Sequence, residues 1–167
     1  MLTRPVVVSL VSMLLLGACT TSAGGESSQR SPELSETSRS GKPCGEESPQ
    51  NLPGWANDYQ GFAGRKFVSS QGNVVAVVFT PPLTVSRADQ ATTNKILWVM
   101  RTPRNGDQLR IDATLPGSSR RFSTTQPPDS GPGNIYPTMV NVPAPGCWHM
   151  SLSWNGNTDT VDLFYRA

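Results

Sequence analysis

Cys147-Trp148-His149-Met150-Ser151-Leu152-Ser153-Trp154-Asn155-Gly156-Asn157-Thr158-Asp159-Thr160-Val161-Asp162-Leu163-Phe164-Tyr165 decides the fold of this chain. Trp148, Met150, Leu152 and Trp154 alternate with Cys147, His149, Ser151 and Ser153. Beyond Asn155-Gly156, Val161, Leu163 and Tyr165 alternate with Thr160, Asp162 and Phe164. A period of two puts each set on one face of a strand. Asn-Gly accepts φ > 0 at two successive positions, which a type I′ hairpin turn requires. A two-residue loop there sets Met150 opposite Val161, Trp148 opposite Leu163 and His149 opposite Asp162. Moving the turn to Gly156-Asn157 changes the partners but keeps the same face inward, so burial is more firmly specified than register.

Outward from this hairpin the chain shows short β-branched and aromatic runs separated by Pro, Gly, Asn and Asp, with no long run of helical period. Strands are expected near Lys66 to Ser70, Asn73 to Thr80, Lys95 to Arg101, Gln108 to Leu115, Arg120 to Thr125, Thr138 to Val142, Cys147 to Trp154 and Thr158 to Arg166. A second hairpin is expected around Asn105-Gly106, with Ile96, Trp98 and Met100 covering Leu109, Ile111 and Ala113. A strict two-residue loop there would oppose Arg101 and Arg110, so a longer one is expected. The fold class is all-β, a compact antiparallel sandwich with immunoglobulin-like topology. It occupies residues 43–167. Cys44 falls outside every expected strand, so the architecture is expected without the disulfide of antibody domains. From Pro43 to Gly64 an irregular segment carries Trp55, Tyr59 and Phe62, with a short helical turn around Trp55 to Gln60. Its aromatics suit packing onto the sandwich or an interface equally.

At the other end of the chain, Arg4 precedes an apolar run, Val6 to Leu16, too short to span a bilayer as a helix. Leu16-Gly17-Ala18-Cys19 closes it and resembles the lipobox of bacterial lipoproteins. That resemblance implies loss of residues 1–18, diacylglycerol on the Cys19 thiol and often acylation of the new amine. At about 0.8 kcal/mol per buried methylene, two or more chains anchor stably where one does not. The implied location is the extracytoplasmic face of the cell membrane; a plain secretory signal is the alternative. Residues 19–42, rich in Ser, Gly, Thr and Glu, read as a flexible linker with a reach of about 25 to 30 Å. With Cys19 committed to lipid, Cys44 and Cys147 remain as a pair in an oxidising compartment, where a disulfide is expected. Such a bond would fasten the leading segment to the penultimate strand. Two unpaired thiols or a metal pair are the alternatives, but one His and two Cys without CxxC spacing cannot complete a tetrahedral site.

Ile96-Leu97-Trp98-Val99, Tyr136-Pro137, Val142-Pro143-Ala144-Pro145-Gly146-Cys147-Trp148 and Thr158-Asp159-Thr160-Val161-Asp162-Leu163 together resemble a group of small exported lipoproteins of Gram-positive-type bacteria. The resemblance spans less than half the chain and implies a secreted β-domain, with no reaction to carry over.

The formal charge is +2 and near neutral once Arg4 is gone, so no global field favours nucleic acid or anionic lipid. His149 and Asp162 could form a hydrolytic dyad. Yet no G-x-S-x-G elbow is present, and a surface cross-strand pair accounts for them. Met100, Met139 and Met150 with His149 could suggest copper, but Met150 and His149 fall on opposite faces, and core packing explains the methionines. Arg101, Arg104, Arg110, Arg120 and Arg121 are candidates for one patch gripping phosphate, carboxylate or an anionic envelope polymer. Solvated arginines near Asp107, Asp112 and Asp129 are the plainer account. Gly131-Pro132-Gly133-Asn134 reads as a mobile loop, since it neither follows a strand nor opens a helix. The expected role is a lipid-anchored binding or interaction module at the cell envelope, without cofactor or metal, meeting an envelope protein or anionic polymer. An envelope hydrolase and a structural or stress-related component are the alternatives.

Overall fold

A computed structural model describes residues 44, 45, 47, 52–85 and 94–167. The expected signal segment, Cys19 and the linker lie outside the described residues. The strands are β1 (Arg65–Val68), β2 (Val74–Val78), β3 (Leu83–Thr84), β4 (Lys95–Met100), β5 (Leu109–Thr114), β6 (Arg121–Gln126), β7 (Ile135–Met139), β8 (Gly146–Trp154) and β9 (Asn157–Arg166). They form two sheets, β1-β2-β4-β7 and β3-β9-β8-β5-β6. Every pair is antiparallel except β3 with β9. Between Val78 and Leu83 the chain leaves one sheet and joins the edge of the other, passing through cis Pro81-Pro82. This strand order gives the immunoglobulin-like sandwich.

The β8–β9 register is the one an Asn155-Gly156 turn dictates, with Met150 opposite Val161, Trp148 opposite Leu163 and His149 opposite Asp162. Asn155 and Gly156 take φ of 43° and 71°, the pair of positive values that turn needs. The inner faces meet in one apolar core around Trp98, Trp148, Trp154, Tyr136 and Tyr165. Each of these rings also has a polar tip that burial would leave unpaired, and each is bonded. The indoles of Trp98, Trp148 and Trp154 donate to Thr138 Oγ1, the Ala144 carbonyl and Thr102 Oγ1, while the Tyr136 and Tyr165 hydroxyls donate to the carbonyls of Asp107 and Val140. Leaving any one unmade would cost about 1 to 3 kcal/mol.

Three sequence expectations need correction. The chain stretch around Asn105-Gly106 is not a hairpin, because β4 and β5 lie in different sheets. Asn105 and Gly106 do make a tight turn, with φ of 51° and 76°. Ile96, Trp98 and Met100 do share the core with Leu109, Ile111 and Ala113, but across the sandwich rather than along a ladder. Second, β7 starts at Ile135 and includes Pro137, which is tolerated because β7 is an edge strand and needs no N–H on its open side. Third, the two-residue β3 was too short to show periodicity.

The expected helical turn is a 3₁₀ helix over Gly54–Tyr59. Ala56 and Leu52 are buried with Val75, Val77, Leu97 and Val99, and Trp55 and Tyr59 pack against them. This covers the outer face of the first sheet, so β2 is buried along its whole length. Val74-Val75-Ala76-Val77-Val78 is accordingly a continuous apolar run rather than an alternating one.

Candidate functional site

Four connections gather at one end of the sandwich, the end where β2, β5 and β9 begin and β4, β6 and β8 finish. They are 69–73, 101–108, 127–134 and 155–156. Each is tied by a side chain to backbone. Asp107 accepts from Gln108 N–H at 2.8 Å and, through its other oxygen, from Asn155 N–H at 2.7 Å. The Asn155 amide in turn donates to the Pro103 carbonyl. One carboxylate therefore joins the β4–β5 connection to the β8–β9 turn.

Arg104 joins the same connection to the next. Its guanidinium donates to the carbonyls of Ile135 at 2.8 Å and Gly131 at 2.7 Å, with its charged carbon 5.1 Å from the centre of the Tyr136 ring. Only a planar fork reaches two such acceptors while lying over a ring. The loop expected to be mobile around Gly131 is thus held from one side, and Met100 N–H donates to Asn134 O from another.

Asp159 holds the fourth connection. By strand parity it belongs with Val161, Leu163 and Tyr165 on the inward face, and it is 1% exposed. A carboxylate there needs partners. It accepts from Ser69 Oγ at 2.6 Å, Ser70 Oγ at 3.1 Å, and the N–H groups of Gln71, Asn73 and Thr160 at 3.0, 3.1 and 2.7 Å. Burial pushes its pKa up, but the hydrogen bonds from Ser69 and the three backbone N–H groups outweigh that and hold it below the usual aspartate range. Asp107, Arg104 and Asp159 were not singled out for these roles from sequence. For Asp159 the signal was available, an acid on the apolar parity of a strand.

The remaining sequence candidates distribute as follows. Cys44 and Cys147 are joined, with Cα atoms 5.6 Å apart and a sequence separation of 103. Cys147 begins β8, so this bond marks the opposite end of the sandwich from the pinned connections. The five arginines do not converge. Arg101 and Arg104 lie at the pinned end, whereas Arg120 and Arg121 follow the β5–β6 turn at the disulfide end. Arg110 lies on the outer face of β5, paired with Asp112 at 2.6 Å. The Arg110 guanidinium and the Ser123 hydroxyl hold the Asp112 carboxyl below its usual range.

His149 Nδ1 lies 2.7 Å from Asp162 Oδ1 on the outer face of the second sheet, with the two side chains 44% and 35% exposed. Among the described residues no hydroxyl is hydrogen-bonded to the other ring nitrogen. Met100 and Met150 are in the core, as packing predicts, but Met139 is 49% exposed. No cluster of three or more His, Cys, Asp or Glu suited to a metal occurs among the described residues. Compared with protein families, characterised proteins and solved structures, the chain matches none.

Proposed function

We propose that this chain is a lipid-anchored, extracytoplasmic binding module that presents its pinned loop end to a partner at the cell envelope. The supporting observation is the side-chain clamping of four adjacent connections at the end remote from Cys44. Loops ordered before contact lose less conformational entropy on association, which is how rigid loop clusters on sandwiches bind well. Position adds to this. β8 runs from the disulfide end to the loop end, nine residues or about 27 Å at the usual rise per residue. A chain held through Cys19 enters the sandwich at Cys44, at the end opposite the loops, so the tether leaves the loops free to meet a partner. The partner is an envelope protein or polymer rather than a nucleic acid, since among the described residues the exposed cations near the loop end, Arg101 and the Asp112-paired Arg110, stand beside the exposed Asp107 and Asp129.

The hydrolase reading has the His149 to Asp162 contact in its favour. An exposed pair on an open sheet face, with no bonded hydroxyl to activate, supports it less than the clamped loops support binding. The two part experimentally. A photo-crosslinking residue at Asn105 is expected to capture a partner in intact envelopes, and one at Ser118 in the opposite turn is not. Capture at neither position, together with loss of a hydrolytic activity in His149→Ala, would replace the binding reading with the enzymatic one. Mass spectrometry of the mature N-terminus tests the lipid on Cys19.

A further inference from the structure

The net charge of the chain is small, but the structure segregates it. At the disulfide end, Lys95 opens β4, and Arg120 and Arg121 follow the β5–β6 turn. All three are exposed. Neither Arg120 nor Arg121 has a side-chain hydrogen bond or ion pair among the described residues. The carboxylate that the ladder places diagonally from Arg121 is Asp112, and it is engaged by Arg110 and Ser123. Of the other described acids, Glu47 is paired with Arg65 and Asp162 with His149, while the exposed Asp58 lies in the 3₁₀ helix over the outer face of the first sheet. The acids Asp107 and Asp159 belong to the far end.

Among the described residues two large hydrophobic side chains are exposed, and one of them adjoins this cluster. Met139 is 49% exposed and sits opposite Lys95 at the last position of β7, whereas Phe62, 42% exposed, leads into β1 at the opposite edge of that sheet and packs on Tyr59. β7 and β6 are the edge strands on one side of the sandwich, and their disulfide-side ends are Met139 and Arg121. An exposed Met139 beside Lys95, whose ammonium lies 5.4 Å from the centre of the Phe79 ring, and on the same side of the sandwich as the ion-pair-free Arg120 and Arg121, fits an interface that is oily just beneath a layer of negative charge.

We infer that the disulfide end of the sandwich is a docking face for an anionic phospholipid surface, with Lys95, Arg120 and Arg121 over the headgroups and Met139 at the acyl boundary. This deepens the envelope-anchored reading above. The lipid would hold the chain near the bilayer, and this face would fix which way the sandwich points. Each Lys or Arg near an anionic surface contributes roughly a factor of five in binding, and salt screens it.

The test uses the chain from residue 19 with Cys19→Ser, so that no lipid assists, and measures co-sedimentation with two kinds of vesicle. One is phosphatidylcholine alone and the other includes phosphatidylglycerol. Binding is expected only to the anionic vesicles and is expected to weaken with salt. Arg120→Glu with Arg121→Glu should lower the partition coefficient about tenfold or more. Arg120→Gln with Arg121→Gln should lower it by a smaller factor, and Met139→Ser by a few-fold. Arg101→Glu, at the far end, should leave it within about twofold, and melting curves establish that each variant is folded. Equal partition onto both vesicle types overturns the inference. So does an Arg101→Glu loss as large as the double reversal, which would mean overall charge and not this face. Wild-type chain lacking lipid on Cys19 would defeat the anchored reading and leave the vesicle result intact.

Discussion

The two ends of this sandwich are held by different chemistry. At the loop end, Asp107, Arg104 and Asp159 clamp backbone through hydrogen bonds. At the disulfide end a covalent bond fastens Cys44 to β8, while Lys95, Arg120 and Arg121 face solvent. The difference teaches where charge is spent on shape and where it stays available. Ions that satisfy backbone groups make a surface rigid, whether buried as Asp159, half-buried as Arg104 or exposed as Asp107. Exposed cations without an acidic partner make it attractive to an opposite charge.

The largest way to break the contrast is to remove the covalent end. Cys44→Ser with Cys147→Ser should lower unfolding free energy by about 4 kcal/mol in the chain-entropy picture, read from denaturant midpoints. Hydrogen exchange should then rise in residues 52–68 and stay slow in 101–108. Exchange rising equally at both ends would mean that the two ends are one cooperative unit.

Next in size is Asp159→Ala, which strands Ser69 Oγ and the N–H groups of Gln71 and Asn73. A loss of about 3 kcal/mol is expected, with exchange rising first in 69–73. Acid should produce part of this loss in the wild type. Because the folded pKa of Asp159 lies below its unfolded value of about 3.9, the unfolded chain binds the proton more readily. The carboxylate's contribution is full above that value and disappears as pH falls through the folded pKa. Asp159→Asn should therefore flatten the acid limb of stability against pH, and an unchanged limb would assign acid sensitivity elsewhere.

Arg104→Lys comes third, at about 1 to 2 kcal/mol, since an ammonium can serve one of the two carbonyls but not both over the Tyr136 ring. It should also free the 127–134 connection. Smallest is Arg110→Ala. Its pair with Asp112 stands in solvent, so the melting temperature should not move. A clear fall would show that the polar outer face of the second sheet matters more than its exposure suggests.

Much of the architecture was legible because strand period and turn chemistry act locally. The β8–β9 register follows from Asn155-Gly156 and one alternation of Trp148, Met150, Leu152 and Trp154. Asn105-Gly106 shows the limit of the same logic. An Asn-Gly pair specifies a tight turn, but whether the flanking strands pair with each other is decided by the neighbours each finds elsewhere, here β2 and β7 for β4, and β6 and β8 for β5. The continuous apolar runs of β2 and β4 carried a further hint, that something covers the outer face of their sheet. Pro137 hid the start of β7, because a proline argues against a strand unless its edge position is already known.

The candidate site was less legible. The arginines were visible as a group in sequence, yet β5 separates Arg101 and Arg104 from Arg120 and Arg121 by its full length. Arg104 is occupied by carbonyls that no spacing rule announces. The disulfide was readable, because two cysteines outside the expected lipid site had each other.

That disulfide also determines how the molecule would carry tension. A pull arriving from the N-terminal side reaches Cys44 and passes through sulfur to Cys147 at the start of β8. It bypasses residues 45–68 and the short β1–β2 pairing, which would otherwise peel apart one bond at a time. β8 has β9 along one flank and β5 along the other, so when the opposing load is a partner held at the loop end, it falls on many ladder bonds at once, in shear. A stretched molecule would keep its loops in place until the central strand itself slid.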